Sequence, residues 1–101
     1  MRWIVTFHLG KKETADKLIE FFKQKLDKAY RYRQELGSVI IENCLDKNNA
    51  WKTCLFVFHR SGLYPKYVIE SVDENNNVNY VSTCNICRAN TSKYPHHEHI
   101  K

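Results

Sequence analysis

The sequence predicts an α+β fold: a long N-terminal helix packed on a small antiparallel sheet, with a zinc-stabilised C-terminal tail. Three observations carry this. One stretch has apolar residues at three- and four-residue steps. The stretches around it are β-branched and aromatic, and are punctuated by Asp- and Asn-rich segments. Soft metal ligands crowd the last eighteen residues, Cys84 to Lys101. The 101 residues suit one domain, 1–101, without repeat or linker.

The elements follow in order. RWIVTFHL (2–9) has strand composition and stops at Gly10. A helix is expected from about Thr14 to Leu36. Ala15, Leu18, Ile19, Phe22, Leu26, Ala29 and Tyr30 form its apolar face. Thr14 is the expected N-cap, Asp16 suits the first turn, and Gly37 is the expected stop. SVIIENCL (38–45) and WKTCLFVFH (51–59) then read as a hairpin around the loop DKNNA. Cys54 to Phe58 is apolar on both faces, so the second of these strands is expected to be central. Cys44 and Cys54 would sit near opposite positions, as small buried side chains. YVIESV (67–72) and VNYVST (78–83) flank DENNN as a second hairpin.

Composition narrows the function classes. No stretch approaches the roughly 20 apolar residues of a membrane helix. MRWIVTFHLGKKE lacks the apolar region and cleavage site of a signal peptide, which points to a reducing compartment. The net charge of +5 favours a polyanionic partner. With three glycines there is no phosphate-cradling glycine loop.

The tail carries the most specific chemistry. Zinc takes four tetrahedral thiolate and imidazole ligands, usually two from each of two places. Cys84-Asn-Ile-Cys87 can point both sulfurs at one ion from a tight turn. His97-Glu-His99 places two imidazoles on one side of an extended segment. The expected ligands are Cys84, Cys87, His97 and His99, with His96 and Cys54 as alternatives. Beyond Cys87 the only large apolar residues of the tail are Tyr94 and Ile100, so a metal would supply stability that packing cannot.

The stretch HRSGLY (59–64), followed by Cys87-Arg-Ala89 and His97-x-His99, resembles the FLYWCH- and WRKY-type zinc-finger DNA-binding domains of transposase-derived proteins. The resemblance runs from about residue 15 to 99 and rests on few positions. Phe58 stands where those fingers have their first cysteine, and the interval from Cys87 to His97 is short. The resemblance implies a zinc-pinned antiparallel sheet that turns a strand edge to the DNA major groove in the nucleus. Arg60, Lys66, Arg88 and Lys93 would be the cations nearest that edge, and Arg31 and Arg33 would contact phosphates. Arginine forks onto guanine, whereas lysine mainly neutralises phosphate.

Enzymatic readings find little purchase. His59-Arg60-Ser61 has the H-x-S spacing of two-histidine phosphoesterases, but the first strand histidine, His8, has no such partner in sequence. Cysteine and histidine occur without a recognisable nucleophile–base–orienter pattern. The expectation is a non-enzymatic, zinc-stabilised domain that binds DNA, or RNA. The alternative is a small accessory protein that acts through protein contacts, its zinc purely structural.

Overall fold

A computed structural model describes residues 1–83. The chain is α+β: two helices lie on one face of a five-stranded antiparallel sheet. The elements are β1 (Arg2–His8), α1 (Lys12–Lys25), β2 (Tyr32–Glu35), β3 (Ser38–Cys44), α2 (Lys47–Arg60), β4 (Lys66–Val72) and β5 (Val78–Thr83). The sheet order is β2-β3-β1-β4-β5. β1-α1-β2 and β3-α2-β4 are therefore two interleaved split βαβ units, the ferredoxin-like plan, with β5 added at one edge.

The expected helix face is present, but the helix is shorter. Ala15, Leu18 and Phe22 are buried, and Ile19 and Leu26 pack partly against the core. α1 ends at Lys25 rather than at Leu36. The Leu26 backbone turns extended, and the Asp27 carboxylate accepts the Ala29 N–H at 2.8 Å. Asn43 of β3 then clamps the following loop, donating to the Ala29 carbonyl and accepting from the Arg31 N–H. Residues 32–35 pair with β3, and Tyr32 packs its ring on Phe22 at 5.3 Å. Thr14 is not the N-cap. That position is Lys11, which makes no side-chain capping bond.

Gly37 stops no helix; it lies in the β2–β3 turn. Its carbonyl accepts from the Leu9 and Gly10 N–H groups at 2.8 and 3.2 Å. A Cβ there would stand 2.9 Å from the Gly10 backbone carbon, so only glycine fits this approach.

The segment 51–59 is a helix, not a central strand, and DKNNA is its first turn, not a hairpin loop. Ala50, Thr53, Cys54 and Val57 form a buried stripe of helical period. Asp46 caps the helix by accepting the Asn49 N–H at 2.7 Å, while Asn49 accepts from the Leu45 N–H at 2.9 Å. At the other end Ser61 donates to the Val57 carbonyl through both its N–H and its hydroxyl. Gly62 follows at φ +74°. Cys44 and Cys54 are both buried but lie on β3 and α2, not across a hairpin. Burial holds the Cys44 thiol above its usual range.

The second hairpin stands as expected. Asp73 forms its turn by accepting the Asn75 and Asn77 N–H groups, both at 2.9 Å. The core lies between helices and sheet, with Val5, Phe7, Leu18, Phe22, Val39, Ile41 and Val57 all 0–1 % exposed. α1 covers β2 and β3, and α2 covers β1, β4 and part of β3.

Candidate functional site

The sheet register places the candidate residues. β1 and β4 pair His8 with Lys66, and β1 and β3 pair His8 with Ser38. β2 and β3 pair Glu35 with Ser38. One end of the sheet thus carries Glu35, Ser38, His8 and Lys66 in a row. The same end receives the start of α1 through Gly10, Lys11 and Lys12. Arg60, the last residue of α2, lies six positions before Lys66 and reaches this end through the short 61–65 connection.

Arg60 and Lys66 are therefore brought to one end of the molecule, together with Lys11, Lys12 and His8. Among the described residues Lys12 is paired with Asp16 at 3.2 Å, while Lys11, Arg60 and Lys66 enter no ion pair. The His8 Nδ1 and the Ser38 hydroxyl are 2.9 Å apart. Partial burial of the ring, and then the neighbouring Lys66, hold His8 below the usual imidazole range. A surface hollow lined by His8, Leu9, Gly10 and Lys66 opens here.

Arg31 and Arg33 do not join this cluster. Arg31 precedes β2 at the opposite end of the sheet. Arg33 is held by Glu42 and Glu35, both of which raise its pKa. Its charge is already answered within the sheet, so phosphate contact through Arg33 has to displace two carboxylates.

Arg60 is not at a strand edge. The Ser61-Gly62 pair that helps carry the finger resemblance is the C-terminal cap of α2. Arg60 is therefore presented from a helix terminus. His59 is likewise helical, so the paired strand-histidine arrangement does not form. Cys54 is 4 % exposed in the core, where its environment is apolar. Cys84, Cys87, Arg88, Lys93, His96, His97 and His99 lie outside the described residues. Among the described residues no group of three or more His, Cys, Asp or Glu could hold a metal ion. No described helix is long and apolar enough to cross a membrane.

Sequence reasoning missed Lys11, Lys12, His8 and Ser38 as neighbours of Lys66. A signal existed in HLGKK, a strand followed by glycine, two lysines and a helix. Only the strand register joins it to residue 66.

The face of the sheet away from the helices is a second surface. Ile4 and Thr6 of β1, Ile40 and Glu42 of β3, Val68 and Glu70 of β4, and Val81 of β5 stand on it by alternation and register. Ile4, Ile40 and Val68 are half-buried by their neighbours on the sheet. This face carries no aromatic ring at these positions, so it offers no stacking platform for bases.

Fold and site together define a small α+β domain of split βαβ plan with a cationic end. Comparison with protein-family models, curated proteins and solved structures finds no match to this chain.

Proposed function

We propose that this is a non-enzymatic binding domain whose cationic end takes a polyanionic partner, nucleic acid and in the first instance DNA. The observation that carries this is the gathering of Lys11, Lys12, Arg60 and Lys66 around His8, three of them outside any described ion pair. β5 runs antiparallel to β4, and Thr83 stands opposite Val68, two residues from Lys66. β5 therefore ends toward the same end of the sheet, and the segment bearing Arg88 and Lys93 follows it in sequence. In this reading zinc bound by Cys84, Cys87, His97 and His99 holds that segment. Phosphate contacts supply the affinity, and their hallmark is salt dependence.

The test is binding of a random-sequence duplex pool at two salt concentrations. The wild type retains duplex and loses it steeply as salt rises. Arg60→Ala and Lys66→Ala each weaken binding and flatten the salt slope by about one. Arg33→Ala changes it little. Loss of retention at near-physiological salt, or indifference to Arg60 and Lys66, overturns the reading. Elemental analysis of untagged protein tests the metal: one zinc per chain is expected, released by Cys84→Ser or Cys87→Ser.

A protein partner is the second reading. The open sheet face favours it, since its centre is apolar at Ile4, Ile40 and Val68 and the Arg33 charge at its margin is answered by Glu35 and Glu42. Such a complex weakens little with salt, which separates the two readings.

A further inference from the structure

The two edges of the sheet differ. β2 is short at four residues and carries Arg33 and Glu35, charges that discourage pairing with another chain. β5, at the far edge, reads Val-Asn-Tyr-Val-Ser-Thr, with no charged residue and no proline. It is well anchored on its helix-facing side. Tyr80 packs on Trp3 at 5.5 Å between ring centroids, and the Lys47 ammonium sits 4.8 Å above the Tyr80 ring. The register shift against β4 falls near Val72, which leaves Tyr80 to Thr83 regular. On the open face Val78 and Val81 are 50 % and 57 % exposed. Among the described residues no strand lies beyond β5.

We propose that β5 is a self-pairing edge: two copies of this chain join β5 to β5, antiparallel, into one continuous ten-stranded sheet. The occupant follows from the strand itself. An antiparallel pair about a two-fold axis normal to the sheet leaves both open faces on the same side, and opposed residues must then share a face. Val81, on the open face, meets Val81 of the second copy. Tyr80 and Ser82, on the helix face, meet each other across the axis. An uncharged strand brings no like charges into opposition when it pairs with itself. The exposed Val78 and Val81 then become part of an apolar surface that continues across the junction.

Sedimentation of the untagged full chain over a concentration series tests this. The wild type gives the mass of two chains, dissociating on dilution. Val81→Lys and Val81→Glu, each of which sets like charges face to face, sediment as single chains. An equimolar mixture of the two regains the two-chain mass, because lysine then faces glutamate. Circular dichroism establishes that each variant is folded. Should either fail to fold, hydrogen exchange on the wild type decides instead: the β5 amides are better protected at high than at low concentration. A wild type that sediments as one chain throughout, a Val81→Lys that stays paired, a mixture that stays single, or β5 protection independent of concentration overturns the proposal.

Discussion

Asn43 shows how much one side chain can settle. It is polar and half-buried at the irregular end of β3, and both of its amide groups are used on the α1–β2 connection. Removing them leaves the Ala29 carbonyl and the Arg31 N–H to water, and β2 loses its entry point. Asn43→Ala is expected to cost about 1–3 kcal/mol, read as a lower midpoint in urea with an unchanged slope. His8 makes a second prediction at this scale. An imidazole held below its ordinary range binds fewer protons in the folded chain than in the unfolded one at mildly acid pH. Its stabilisation is complete above the ordinary imidazole value of about 6.5 and is lost as pH falls from there through the lower value of the folded chain. The drop in melting temperature between neutral and mildly acid pH should be smaller in His8→Asn than in the wild type. His96, His97 and His99 are common to both chains, so the difference isolates His8. An equal drop in both would show that the His8 ring titrates as freely folded as unfolded.

At the scale of elements, α1 and β2 depend on Phe22. Its ring is 1 % exposed and lies 6.1 Å from Phe7 and 5.3 Å from Tyr32. Phe22→Ala should cost about 3–5 kcal/mol, most of the stability expected of a domain this size. A melting temperature unchanged by Phe22→Ala would mean that α1 buries another face. α2 rests on its caps. Asp46→Ala removes the acceptor for the Asn49 N–H and should cost about 0.5–2 kcal/mol in chemical denaturation. A strand at 47–60 would be insensitive to that change, so the measurement also tests the helix itself. Gly37→Ala strains the β2–β3 turn where it meets the Gly10 backbone. Its cost should exceed that of Gly62→Ala, where a Cβ meets nothing and only the positive φ resists.

The whole molecule separates two surfaces by layer. Lys12, Lys17, Lys23 and Lys25 lie on α1 and Lys47 and Lys52 on α2, away from the open sheet face. The cationic end joins the layers at His8, Arg60 and Lys66. Polyanion binding there should tighten as pH falls, because bound phosphate favours protonated His8. His8→Asn should flatten that dependence in a duplex-retention assay at constant salt, and a profile unchanged by the substitution would place the anion elsewhere. Self-association through β5 uses a different edge, so Val81→Lys should leave the Arg60 and Lys66 contributions intact.

What the sequence determined by itself was set by local pattern. Strand β1, the apolar face of α1 and the β4–β5 hairpin repeat their period over six or more residues, and β1 is followed by a glycine and β4 by an Asp-Asn turn. Those signals do not depend on partners. α2 has the composition of a strand because Trp51 to Phe58 is dense in aromatic and β-branched residues, which masks a helical stripe at Ala50, Thr53, Cys54 and Val57. Its ends were nevertheless written in Asp46 and Gly62. The sequence extends α1 past its true end because Ala29 and Tyr30 continue its spacing, and only Asn43, distant in sequence, diverts the backbone there. Of the candidate site, Arg60 and Lys66 were legible as cations near a turn. Their company with His8, Lys11 and Lys12 was not, because it comes from β1 pairing with β4 across some sixty residues of chain. Tertiary structure also neutralised Arg33, by laying it beside Glu42 of the next strand. Periodicity reports the face an element must bury, whereas charge acts through space, so the reach of each cation was decided only when the strands found their order.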